Sequence, residues 1–132
     1  ALAAALVVEP ELLILDEPTA GLDPLSRRLL LHTLQELQSQ GRSVVISSHN
    51  MEDIAALAQE MTIMQQGTSI AAGPVGDLFG NTELITGAGL SQPAGVVLAN
   101  DLRKKGWPIN LDAVTLDQVE TSLQAILSGV QR

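Results

Sequence analysis

The first half of the chain alternates short unbroken apolar runs with apolar stripes at helical spacing. Leu12-Leu13-Ile14-Leu15 and Val44-Val45-Ile46 are bounded by polar or charged residues. Such runs predict strands buried on both faces, as in the middle of a parallel sheet. Between them, Leu25, Leu29, Leu30, Leu34 and Leu37 recur at helical spacing. Asp23-Pro24 opens that helix, because Asp caps free amides and Pro fits the first turn. Gly41 closes it. Met51 to Leu57 predicts a further helix. Met61-Thr62-Ile63-Met64 and Thr68-Ser69-Ile70-Ala71-Ala72 flank Gln65-Gln66-Gly67, which predicts a hairpin with a Gly turn. At the start, Ala1 to Val8 reads as the end of a helix, stopped at Glu9-Pro10 because Pro disfavours helical geometry before it. The order strand, helix, strand, helix implies α/β layers with right-handed crossovers.

After Gly73-Pro74 the pattern changes, and Gly, Pro, Asn and Thr become frequent up to residue 95. Short helical turns are expected around Val75–Phe79. Pro93 to Lys105 reads as a helix carrying Val96, Val97 and Leu102, broken by Gly106-Trp107-Pro108. Thr115-Leu116-Asp117-Gln118 fits a capping box. Leu116, Val119, Leu123, Ile126, Leu127 and Val130 then supply an apolar face. The expected division is an α/β part at 1–73 and a mainly helical appendage at 74–132. No internal repeat is visible.

Composition narrows the classes. The 132 residues suit about one domain. A hydrophobic share of 45 % with 17 % charged residues marks a globular chain. Seven Lys plus Arg against fifteen Asp plus Glu leave a net charge of −8. That argues against a nucleic-acid partner, which would call for a basic stripe. Arg103-Lys104-Lys105 is a short basic run and reads as a solvated helix end. The absence of Cys removes disulfides, thiolate metal sites and Cys nucleophiles. No apolar run reaches the roughly twenty residues of a membrane span. The apolar start lacks a basic lead-in, so it is not read as a signal peptide. The chain begins with Ala rather than Met and reads as a fragment.

The candidate chemistry lies at the end of the first strand. Asp16-Glu17-Pro18-Thr19 follows Leu12–Leu15 directly, and ligands of parallel α/β sheets bind beyond the carboxyl ends of strands. Asp16 there is a candidate ligand for Mg²⁺, which prefers oxygen donors and retains several waters. Glu17 is a candidate base for activating water against a phosphoryl group. Asp-Glu-Pro is equally a plain strand-ending turn, and Asp23 equally a plain helix cap. Ser47-Ser48-His49 follows the second strand, so the sheet would bring His49 to the same edge as Asp16 and Glu17. An imidazole there can hydrogen-bond a phosphate oxygen.

Together these residues resemble ATP-binding-cassette (ABC) ATPases. Leu12 to Thr19 is similar to their Walker B strand with the catalytic Glu after it. Gly21-Leu22-Asp23 resembles their D-loop, and Ser48-His49 their switch-His motif, all in family order. Ala1 to Val8 resembles the tail of the helix after the family's signature sequence. Farther on, Gly73-Pro74 through Leu78-Phe79, Gly89-Leu90-Ser91-Gln92-Pro93, Leu102-Arg103-Lys104-Lys105-Gly106 and Thr115-Leu116 resemble the ATP-binding subunits of energy-coupling-factor uptake transporters. The resemblance implies the C-terminal half of a P-loop NTPase parallel-sheet domain plus the helical appendage. It implies ATP and Mg²⁺ as cofactors, with Asp16 on the metal, Glu17 as general base, His49 on the γ-phosphate and Asp23 at a dimer interface beside the nucleotide. It further implies a second ATP-binding subunit, an integral membrane transporter subunit, and a peripheral place on the cytoplasmic side of the cell membrane. The cargo of such transporters is a vitamin, cobalt or nickel.

Two family elements are missing from the sequence. No Gly-x-x-x-x-Gly-Lys-Ser/Thr occurs, the only Lys residues being Lys104 and Lys105, and Leu-Ser-Gly-Gly-Gln is also absent. Asp77-Leu78-Phe79-Gly80 resembles a kinase motif without any other kinase element. The competing readings are an ABC-type ATPase of DNA repair or translation, and a non-catalytic module that dimerises through residues 74–132.

Overall fold

A computed structural model describes residues 10–130. The helix end expected at Ala1–Val8 lies outside the described residues. The chain forms two compact units, one ending at His49 and the other beginning at Asn50.

In the first unit, β1 (Leu12–Asp16) and β2 (Ser43–Ser47) pair in parallel, from Leu12 opposite Ser43 to Asp16 opposite Ser47. Helix α1 (Pro24–Ser39) makes the crossover. Its start follows the local chemistry: the Asp23 side chain accepts the Leu25 and Ser26 N–H groups at 3.0 Å each. At its end Gly41 takes a φ of 84°. Its N–H then donates to the Gln38 carbonyl at 2.9 Å, and that of Arg42 to the Leu37 carbonyl at 3.1 Å. This is a Schellman closure, which needs a left-handed residue.

Burial in this unit departs from the sequence expectation. Leu13 is the one buried residue of β1, and Ile14 is 70 % exposed. No β2 residue is fully buried. Alternation of this kind marks a sheet covered on one face, and among the described residues of this unit one helix, the crossover, accompanies the two strands. The helix stripe is shorter than expected too. Leu34 is fully buried and Leu30 and Leu37 are half-buried, whereas Leu25 and Leu29 are exposed. Five-residue strands span about 16 Å. A 16-residue helix spans about 24 Å, so its first turns extend past the sheet.

In the second unit, helix α2 (Met51–Leu57) is capped by the Asn50 side chain, which accepts the Glu52 N–H at 3.0 Å. β3 (Glu60–Gln65) and β4 (Thr68–Pro74) form the expected antiparallel hairpin. Gln66 and Gly67 have φ values of 50° and 76°, both left-handed as a two-residue type I′ turn requires. Ile63 faces Ala71 while Met64 faces Ser69, so Ile70 bulges out of the ladder. Four helices follow: α3 (Val75–Gly80), α4 (Thr82–Gly87), α5 (Ala94–Lys104) and α6 (Leu116–Val130).

Ala99 of α5, Ile109 and Ala113 of the intervening loop, and Val119 of α6 form one buried cluster, with Leu102, Leu123 and Ile126 packed against it. Thr115 and Gln118 make the capping box. The Thr115 hydroxyl accepts the Gln118 N–H at 3.3 Å, and Gln118 Oε1 accepts the Thr115 N–H at 3.1 Å. Leu116 and Leu127 lie outside the packed face and are exposed. Arg103 is not a solvated helix end. Its guanidinium donates to the Ile109 carbonyl at 3.2 Å, to Asn100 Oδ1 at 3.0 Å and to the Asn110 carbonyl. Arg103 thus ties the loop after α5 back onto that helix; Lys104 and Lys105 are exposed. Among the described residues no helix is long and apolar enough to cross a membrane.

Candidate functional site

The parallel register decides what meets at the carboxyl edge of the first unit. Asp16 and Ser47 are the last paired residues of β1 and β2, and in a parallel ladder partners share a face. The Ser47 hydroxyl donates to Asp16 Oδ1. Immediately after Asp16 the backbone turns sharply. Glu17 adopts a φ of 45°, a left-handed conformation costing a non-glycine residue about 1–3 kcal/mol and concentrated at functional sites. Its N–H donates to the Ser47 carbonyl at 2.9 Å and reaches the Ser47 hydroxyl at 3.3 Å. Its carbonyl accepts the Ala20 N–H at 3.1 Å, closing the turn through Pro18 and the buried Thr19.

The Glu17 carboxylate reaches across to the second strand's continuation. Oε1 accepts the His49 backbone N–H at 3.1 Å and lies 2.8 Å from His49 Nδ1. His49 remains 82 % exposed. The hydrogen bond that Glu17 accepts, reinforced by its charge, raises the His49 pKa above the ordinary 6.5. Nδ1 is then the donor and Glu17 the acceptor, a charge-assisted pair.

The structure therefore brings Asp16, Glu17 and His49 together through Ser47. Asp23 stands apart in its bonding. Its carboxylate is committed to the start of α1, accepting the Ser26 hydroxyl at 2.5 Å besides the two backbone groups, and these bonds hold its pKa below the usual carboxylate value. Ser47 is the residue that sequence reasoning passed over. Its signal, a hydroxyl two places before His49, acquires meaning only once the register sets it opposite Asp16.

Among the described residues no three His, Cys, Asp or Glu side chains cluster as a metal cage. The donor chemistry at Asp16 nonetheless fits Mg²⁺, which is commonly held by one or two carboxylates with waters and substrate phosphates completing the shell. A carboxylate has about four lone-pair sites, so the Ser47 bond leaves coordinating capacity at Asp16.

A family profile described as "AAA domain, putative AbiEii toxin, Type IV TA system" matches residues 1–53. The energy-coupling factor transporter ATP-binding protein of Symbiobacterium thermophilum is 41 % identical over 98 % of this chain and 45 % of its own length. The solved structure of cbiO1 from Clostridium perfringens, part of the ABC transporter complex cbiONQ, is 31 % identical. It superposes with a TM-score of 0.53 over 75 % of this chain and 40 % of its own. An ATP-binding cassette of an ABC transporter, MJ1267, shares the fold at a TM-score of 0.57 and 20 % identity, over 68 % of this chain and 37 % of its own. The chain spans about 45 % of the length of that Symbiobacterium relative.

Proposed function

We propose, for a chain that belongs to the ABC ATP-binding subunits, carries the C-terminal part of their α/β P-loop fold and is most like their energy-coupling-factor type, that it contributes the water-activating edge of an ATP-hydrolysing transport subunit. The observation that carries this reading is the convergence of Asp16, Glu17 and His49 at the carboxyl ends of two parallel strands. In this reading Asp16 holds Mg²⁺, which when bound supplies charge neutralisation for the phosphates. Glu17 accepts the proton of the attacking water. His49 holds the γ-phosphate through a hydrogen bond, and the chemistry is otherwise positioning and charge stabilisation.

Glu17 Oε1 is already an acceptor for two His49 N–H groups. Those bonds orient the carboxylate, and they make the imidazole cationic over a wider pH range, which suits contact with an anion. Asp23, held at the start of α1, is assigned to the interface with a second ATP-binding subunit. An integral membrane subunit completes the assembly, with the nucleotide-binding side in the cytoplasm. The cargo follows the energy-coupling-factor class, a vitamin or a cobalt or nickel ion. The division at 73/74 into ATPase part and appendage belongs to the same proposal.

The test is Glu17→Gln in the complete subunit. Steady-state ATP hydrolysis should fall about 10²–10⁴-fold, while equilibrium binding of ATP is retained. Near-normal turnover in that variant removes Glu17 as the base.

A further inference from the structure

We propose that Ser47 is a positioning residue for metal binding at Asp16. This rests on the reading of Asp16 as the Mg²⁺ ligand. Ser47 makes two kinds of contact at the site. Its carbonyl accepts the Glu17 N–H at 2.9 Å, holding the left-handed turn from the backbone. Its hydroxyl contributes something separate, donating to Asp16 Oδ1 while standing 3.3 Å from the same Glu17 N–H. A hydroxyl has one proton. With a backbone N–H approaching its oxygen, that proton is directed at the carboxylate.

The consequence is rotational. A carboxylate at a strand's end turns easily about its terminal torsion, which has broad and roughly two-fold wells. A hydrogen bond on one oxygen selects an orientation, and the metal then meets an arranged ligand rather than an averaged one. Hydrogen-bonded partners of metal-ligating carboxylates act in this way, and their loss commonly costs 10–100-fold in metal affinity or activity. The strand register supplies the partner here, since Asp16 and Ser47 are directly paired. Because the Glu17 turn is held by the Ser47 carbonyl, which every residue type retains, removing the hydroxyl subtracts the Asp16 contact and leaves the turn in place.

The experiment uses the complete subunit and Mn²⁺ as the probe, its binding followed by electron paramagnetic resonance with ATP present. Ser47→Ala should weaken Mn²⁺ about 10-fold with the thermal unfolding midpoint unchanged. Ser47→Thr restores the hydroxyl at an exposed strand position that accepts a β-branched residue, and should recover the affinity. Asp16→Asn is the reference. If Asp16→Asn weakens Mn²⁺ and Ser47→Ala does not, the role of Ser47 is overturned and the assignment of Asp16 stands. Unchanged affinity in Asp16→Asn removes the metal assignment and this proposal with it. Failure of Ser47→Thr to recover an affinity lost in Ser47→Ala also overturns it, because the hydroxyl would not be the group at work.

Discussion

The Glu17 carboxylate oxygen lies 2.8 Å from His49 Nδ1, across the ends of two neighbouring parallel strands. Thirty-two positions separate the two residues in the chain. Both leave their strands at the same edge, and the left-handed turn at Glu17 lets its side chain reach the backbone N–H as well as the ring of His49.

This pair predicts a titration. The folded pKa of His49 is raised by Glu17, so the attraction is fully present below the ordinary value of 6.5 and is lost as pH rises through the folded midpoint. Nuclear magnetic resonance of the His49 ring should show a midpoint above 6.5. In Glu17→Gln the midpoint should move downward, because the amide keeps an acceptor oxygen but loses the charge. A midpoint indifferent to that substitution would contradict the pairing.

Residues 1–132 alone should bind Mg-ATP weakly. The sequence has no Gly-x-x-x-x-Gly-Lys-Ser/Thr, whose backbone amides and Lys would supply the main contacts to the β- and γ-phosphates. Asp16 and Glu17 without them set negative charge beside an anion. Calorimetry on this chain should detect no micromolar binding.

The same chain should self-associate. Leu12, Ile14 and Val45 are exposed on a sheet that has two strands among the described residues, and unpaired strand edges with apolar faces invite added strands. Each Å² of apolar surface left in water forgoes about 25 cal/mol. Light scattering should report a mass above 13.9 kDa that rises with concentration, and Ile14→Lys should lower it. A monomer with a reversible, cooperative unfolding transition would refute the prediction.

Gly95→Ala should destabilise the second unit. A β-carbon on Gly95 would lie 2.4 Å from the Thr115 carbonyl carbon and 2.6 Å from the Val114 oxygen. Both are backbone atoms in the segment that enters α6, so relief means shifting α5 away from it. The expected loss is about 1–3 kcal/mol, measurable as a lower midpoint in urea. Gly80→Ala, where a β-carbon meets nothing within 4 Å, is the control and should leave the midpoint nearly unchanged.

What the sequence determined by itself is whatever a few neighbouring residues decide among themselves. Asp23-Pro24 starts α1 and Gly41 ends it. Gln66-Gly67 turns the hairpin, and Thr115 with Gln118 opens α6. The acidic pair at the end of a strand was legible for the same reason, since Leu12–Leu15 followed by Asp16-Glu17 is a contiguous signal. Helix α4 escaped because its six residues are too few to show a periodicity; its Asn81 cap and the buried Ile85 hold it. Tertiary structure alone decided the rest. That Ser47 stands opposite Asp16, that Glu17 takes a left-handed backbone, that Ile14 is exposed and that Arg103 grips the Ile109 carbonyl all depend on where other segments come to lie. The Ser47–Asp16 bond joins residues 31 apart. Strand register and sheet coverage are set by such distant partners, and a one-residue slip would carry every side chain of β2 to the opposite face.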